Sequence, residues 1–470
     1  EDVPPSTDES TMTLLGALPL MISPNANQVA NIGLGSGLTS HVVLGSPEVD
    51  RVDTIEIESA IVEGAKFYGK KTERVYKDPR SLIHIEDAKT FFSTYQNKYD
   101  VIISEPSNPW VSGVSSLFTR EFYGTVKAHL NSEGILVQWI HIYEFNLDLL
   151  VSVLKAIASE FSFYSIYFAD DGNLLLVASD DGEVPLVSEE IFNVPEIKNQ
   201  LETIFVNHVD DILIRFLGDQ DIFNAYIAHS PVPVNSDYFP YLDQNATKAR
   251  FLKQDVKNIL NLRLNPVPIL DLLYTNLPGR RYRLSNTEFF NTQKLESANS
   301  IYDFFSNKVF NKNNIEAIAS INFLNAASSN CDINYNQTVW IDSIFLLFNT
   351  IMPYLTEPQI NEMLDAFTTD CNQVGGLDSH LTWLRLYRAI LNKDYNEINR
   401  ASATLLSGYY FNDIEQKKYL QTAFLIGLIK TDAHQDALDF WSEEMVENFV
   451  VNGEIPLEYE IILAQIQVNN

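Results

Sequence analysis

The segment Gln28–Gly37 reads QVANIGLGSG, an apolar run that passes into glycines at alternate positions, Gly33, Gly35 and Gly37. A strand ending in such a turn lets backbone N–H groups, and the N-terminus of the next helix, approach a ligand closely. The same pattern also serves as a plain tight turn, so its meaning depends on the downstream strand. That strand is Arg51–Glu58, RVDTIEIE, a second buried run that ends in acids. The acids fall about 20 residues after the glycines, where a ribose-binding carboxylate belongs.

Outward from this pair, strands and helices alternate. Strands are expected at Val29–Leu34, Val52–Glu58, Leu82–Glu86, Asp100–Ser104 and Gly134–Ile142. Helices are expected at Gly37–Leu44, Ala60–Phe67, Lys89–Tyr95, Thr119–Leu130 and Leu147–Phe161. Short, continuously apolar strands between helices indicate a parallel sheet covered on both faces. Right-handed crossovers put the strand C-termini on one edge, where open α/β sheets bind ligands. That edge carries Gly33–Gly37, Glu56, Asp87, Glu105 and Gln138. Phe163–Phe168 and Leu174–Ala178, joined by ADDGN, read as a hairpin. A parallel sheet closed by an antiparallel hairpin is methyltransferase-like rather than nicotinamide-binding. The fold class is thus α/β, a Rossmann-like sheet, followed by an all-α region.

Four stretches are expected: residues 1–27 as a linker and packing segment with a helix at Met12–Ile22, 28–185 as the Rossmann-like domain, 186–254 as a small helical subdomain, and 255–470 as a helical domain. Glu190–Ile227 reads as helices, and Gly427–Trp441 resembles a tetratricopeptide helix–turn–helix, although no clean repeat of ~34 residues is visible.

The 470 residues carry 62 acids against 32 Lys and Arg, a formal charge of -30. Such a surface repels phosphate backbones and argues against a nucleic-acid partner; it would attract a small cationic amine, but it equally serves solubility or adaptation to a salty medium, which is the simpler reading. No apolar run reaches the ~18 residues that span a bilayer. The polar start Glu1–Ser10 reads as a linker or trimmed terminus, which leaves a membrane anchor upstream as an alternative. Cys331 and Cys371 are either a disulfide or two separate thiols. The eight histidines show no metal-ligand spacing, so no metal is expected.

Taken together, IGLGSG, IEIE, Asp87-Ala88, DVIISEPSNP, LFTREFY and GILVQW resemble the spermidine/spermine synthase (polyamine aminopropyltransferase) family, and most closely the synthase-like domains of bacterial membrane-attached proteins. The resemblance covers Leu14 to Ser179 and extends loosely to Asp243. It implies an S-adenosyl ligand, either S-adenosylmethionine or its decarboxylated form, held by Gly33, Gly35, Gly37, Glu56, Asp87 and Ala88. Glu56 would accept both ribose hydroxyls, since a carboxylate offers two acceptor oxygens; Glu58 is the structural alternative. Asp87 would accept from the adenine amino group, and it also suits a helix N-cap.

In the family, an Asp followed three residues later by a second Asp deprotonates and holds the amine. Here Glu105 and Asn108 stand at those positions. A carboxyl at a closed strand end can be raised toward neutrality and still act as a base. Asn108 cannot hold a cation by charge. Gln138 matches a family glutamine at the end of strand five. Trp110 is a candidate to cover the ligand or act as a lid, or else a packed loop aromatic; His141, Tyr143 and Glu144 are candidates to line the acceptor pocket, and Asp237 to return to the site. The family's β-rich N-terminal domain has no counterpart in the 27 residues before Gln28.

Three functions fit: an aminopropyltransferase-like enzyme that alkylates an amine, a methyltransferase, or a non-catalytic ligand-binding protein whose helices engage a protein partner. An S-adenosyl ligand implies the cytoplasm or the cytoplasmic face of a membrane, with export as the alternative. Oligomerisation is open.

Overall fold

A computed structural model describes residues 7–180, 187–274, 277–285, 292–309, 314–330, 337–370, 378–408, 413–450 and 453–468. Cys331 and Cys371 lie outside them. The chain divides into two units, Glu1–Leu260 and Asn261–Asn470.

The first unit opens with helix α1 (Thr7–Ile22), followed by β1 (Gln28–Ile32), α2 (Leu38–Val43), β2 (Arg51–Glu56), α3 (Ser59–Ala65), α4 (Arg74–Lys77), β3 (Ser81–Ile85), α5 (Ala88–Thr94) and β4 (Tyr99–Ser104). It continues through α6 (Arg120–Ala128), β5 (Leu130–His141), α7 (Leu147–Ala158), β6 (Phe163–Asp170), β7 (Asn173–Ser179), α8 (Pro195–Thr203), α9 (Asp210–Leu213), β8 (Phe216–Asp219), α10 (Gln220–His229) and α11 (Tyr241–Phe251). The eight strands form one sheet in the order β3-β2-β1-β4-β5-β7-β6-β8. β1 to β5 run parallel, with Ala30 opposite both Asp53 and Ile102. β7 inserts antiparallel between β5 and β6, which is the terminal hairpin expected from ADDGN.

The central strands form because their residues are apolar on both faces. Val29, Ala30, Ile32, Val101, Ile102 and Ile103 are buried, as both-sided burial of a parallel sheet requires. Asp53, a charge buried among them, is satisfied by Arg51, His84 at 2.7 Å and the Tyr99 hydroxyl at 2.9 Å. Helix starts are set locally. Asp87, Thr119, Asn146 and Asp219 each accept a backbone N–H of the first turn of α5, α6, α7 and α10.

Two expectations are corrected. Glu190–Ile227 is not wholly helical: Phe216–Asp219 pairs antiparallel with β6 and extends the sheet. The fifth strand begins at Leu130 rather than Gly134, because the Tyr99 N–H bonds the His129 carbonyl and carries the pairing backwards past an irregularity.

Within the second unit the described elements are helical, among them Gln337–Ile351, Asp378–Leu391, Tyr395–Ser407, Ile414–Lys430 and Leu457–Val468. Aromatic rings join aliphatic side chains such as Leu347, Leu420 and Ile426 in its core, with Phe348 stacked on Tyr387 at 5.0 Å and Phe345 edge-on to Trp383 at 5.4 Å.

Candidate functional site

Parallel pairing brings the ends of β1, β2, β4 and β5 to one edge of the sheet. Gly33 leaves β1 with φ of +91°, and its N–H donates to the Ile55 carbonyl at 2.8 Å. A Cβ at Gly33 would fall 2.2 Å from the Glu105 carbonyl oxygen, so only glycine lets the two strand ends meet. Gly37 closes the turn, donating to the Leu34 carbonyl at 2.7 Å. Above Gly35 the space is open for 4 Å.

Glu56 is buried, and it is held from two sides. Oε2 accepts the Leu34 N–H and Oε1 the Glu58 N–H, both at 2.9 Å. Each oxygen keeps a lone pair, a geometry suited to two adjacent hydroxyls. Glu58 instead caps α3 by accepting from Ala60 N–H. Between them Ile57 is 69% exposed, an apolar surface beside the carboxylate. Asp87 accepts the Thr90 N–H and hydroxyl on the same oxygen, Oδ1. Ala88 is buried beside it.

Glu105 extends the ladder at the end of β4, its N–H donating to the Ile32 carbonyl at 2.9 Å. Its half-buried carboxyl accepts the Thr39 hydroxyl at 2.7 Å. Burial pushes the carboxyl up to about 7; Asp8 raises it and the Thr39 bond opposes the rise. Three residues on, Asn108 carries a buried Oδ1 with no hydrogen-bond partner, while its side chain bonds Tyr143.

His141, at the end of β5, is fully buried and neither ring nitrogen has a partner. Its ring is packed among Trp110 at 4.8 Å, Tyr143 at 4.9 Å, Phe145 at 5.0 Å and Trp139 at 5.8 Å. Burial among these rings lowers its pKa to about 3, so the imidazole is neutral at physiological pH. Trp110 is held from outside by Arg250, 4.8 Å over its ring, which in turn pairs with Glu144 at 3.3 Å.

Two further candidates are engaged by protein groups. Gln138 is fully buried; its amide donates to the Ser104 and Trp139 carbonyls at 3.2 and 2.9 Å. Asp237 bonds Lys89 at 3.0 Å and Thr119 at 2.9 Å. Three residues join the site that the sequence did not single out: Ile57, Thr39 and Asp8. An exposed isoleucine directly after a strand-end acid is a local signal. The other two depend on contacts far apart in the chain. Among the described residues no group of His, Cys, Asp and Glu could hold a metal, and no helix is long and apolar enough to cross a membrane.

Residues 10–169 match the family model of the spermine/spermidine synthase domain. A polyamine aminopropyltransferase of Clostridium perfringens is 35% identical over 120 residues, 26% of this chain and 42% of that protein. One from Methanocaldococcus jannaschii is 32% identical over 142 residues, 30% of this chain and 48% of its own. The chain thus spans less than half the length of these curated relatives. Among solved structures, spermidine synthase from Thermotoga maritima aligns over 52% of this chain and 75% of its own, with 19% identity and a TM-score of 0.34. Human methyltransferase-like protein 13 in complex with SAH aligns over 42% and 89%, with 20% identity and a TM-score of 0.31. Over residues 10–169, then, this chain is similar to the spermine/spermidine synthase domain.

Proposed function

We propose that the first unit is a transferase that uses decarboxylated S-adenosylmethionine to alkylate an amine. The observation that carries this reading is Glu105, a half-buried carboxyl with a pKa near neutrality, on the same sheet edge as the doubly anchored Glu56. A base poised near ambient pH is what proton removal from an amine needs.

In this reading the free lone pairs of Glu56 take the two ribose hydroxyls. Ile57 lies against the adenine, Asp87 accepts from its amino group, and Ala88 keeps the wall beside it small. Gly33 and Gly37 shape the turn, and the open space over Gly35 admits the arm that bears the sulfonium. Glu105 takes a proton from the acceptor amine. The nitrogen lone pair attacks the carbon next to sulfur, the carbon–sulfur bond breaks, and its electrons neutralise the sulfonium to leave methylthioadenosine. The sulfonium is already activated, so most of the acceleration is positional. Gln138 acts through the Ser104 carbonyl that it holds, as a positioning residue next to Glu105.

On the acceptor side, Asn108 Oδ1 and the neutral His141 ring offer acceptors without partners, and Trp110 and Tyr143 offer π faces. Donor-rich cations fit such a lining. The acids Asp8 and Glu105 disfavour the carboxylate of S-adenosylmethionine itself, which supports aminopropyl over methyl transfer.

Calorimetric titration of the full chain with methylthioadenosine tests the donor site. Binding should weaken about tenfold or more in Glu56→Gln, which loses one charge-assisted acceptor. Tighter binding of S-adenosylmethionine than of its decarboxylated form would move the reading to methyl transfer. No binding of any of the three would leave the non-catalytic interaction protein.

A further inference from the structure

Glu105 has a hydrogen-bonding side-chain partner in Thr39, and that hydroxyl has a second oxygen within reach. Thr39 is buried; its Oγ1 lies 2.7 Å from Glu105 Oε2 and 3.3 Å from the Met12 carbonyl oxygen of α1. A threonine hydroxyl has one hydrogen and two lone pairs. With Glu105 ionised, the hydrogen points to the carboxylate. With Glu105 protonated, the carboxyl O–H can point to Oγ1 while the threonine hydrogen turns to Met12. Neither state leaves the buried hydroxyl unpaired, which would otherwise be costly.

The arrangement is built rather than incidental. A Cβ at Gly16 would fall 2.8 Å from the Thr39 carbonyl and 2.7 Å from Val42 Cβ, so glycine lets α1 lie close enough on α2 to bring the Met12 carbonyl to Thr39. Ser36 Oγ stands 3.1 Å from Met12 Sδ and fixes the same turn of α1 from the glycine loop. The charged group that acts on Glu105 from the elements packed around it is Asp8, one turn before Met12 on α1.

We propose that Thr39 is a positioning residue that serves both protonation states of Glu105, donating to the carboxylate before proton transfer and accepting from the carboxylic acid after it, with the Met12 carbonyl taking the freed hydrogen. The role rests on Glu105 being the base of the proposed reaction. The proton that leaves the amine nitrogen then ends on Glu105 Oε2, and no bond other than hydrogen bonds changes at Thr39.

The test is infrared difference titration of the full chain, with the Glu105 carboxyl band isolated by subtracting Glu105→Gln. It needs neither donor nor acceptor, so it stands apart from any failure to observe transfer. In Thr39→Val, and in Thr39→Ala as a second variant should Val disturb packing, the midpoint should rise by about one pH unit. The C=O stretch of the protonated acid should also move to higher wavenumber, because its O–H has lost an acceptor. Thr39→Ser should restore both. A midpoint shift with an unmoved acid band would make Thr39 a donor to the carboxylate alone and overturn the two-way role. A midpoint and an acid band both unchanged in the Val and Ala variants would overturn any role.

Discussion

A carboxyl raised to about 7 makes the fold itself sensitive to pH. Glu105 in the unfolded chain titrates near its ordinary value of about 4.5. Between that value and about 7 the folded state holds the extra proton. The contribution is therefore present in full below about pH 4.5 and is lost as pH rises through 7. Glu105→Gln should leave stability unchanged at pH 4 and raise it at pH 8 by on the order of 2 kcal/mol, measured by urea unfolding at both pH values. Equal stabilisation at the two pH values would mean that the carboxyl titrates normally. Asp87→Ala should cost about 1 kcal/mol through loss of the α5 cap and should also weaken methylthioadenosine binding; a stability loss with unchanged binding would restrict Asp87 to capping. Glu56 and Asp87 were legible in the sequence because each ends or follows an apolar strand within a few residues. Thr39 was not, since its bond to Glu105 joins positions 66 apart. His141 was legible as a residue of the strand end, but nothing local marks a histidine whose nitrogens lack partners.

At the scale of elements, α1 does what its composition did not announce. Its apolar residues predict packing. Its placement against α2 depends on Gly16, where an added methyl meets Val42 and the Thr39 backbone. Gly16→Ala should destabilise the first unit by about 1–3 kcal/mol, read as a lower urea midpoint, since the obstructing atoms include backbone. A neutral or stabilising Gly16→Ala would show that α1 is not pinned there. The parallel strands were legible because both-sided burial writes a continuous apolar run. β8 was not, because four residues, FLGD, gain their strand character only by pairing with β6.

At the scale of the whole chain, charge and unit structure carry the expectations. With a net charge of -30, the general field of the protein would draw in a dicationic acceptor of the proposed reaction, and salt shortens that reach to about 10 Å at 0.1 M. The apparent affinity for a diamine should fall as ionic strength rises, while that for uncharged methylthioadenosine should hold; parallel losses would argue against steering. A fragment of residues 1–260, one unit by itself, should bind methylthioadenosine as tightly as the full chain. The motifs that resemble the family fall in that unit, which is why a chemistry could be proposed for it, whereas the helices beyond residue 260 carry packing patterns and no chemical motif.

The central claim is that Glu105 is the base of an amine alkylation. The direct measurement is methylthioadenosine release from decarboxylated S-adenosylmethionine with 1,4-diaminobutane as acceptor, in wild type and Glu105→Gln, with donor binding measured in both. Release in wild type, lower by about 10²- to 10⁴-fold in Glu105→Gln at unchanged donor affinity, is the predicted result. Equal rates in the two proteins, or no release from a wild type that binds the donor, would contradict it.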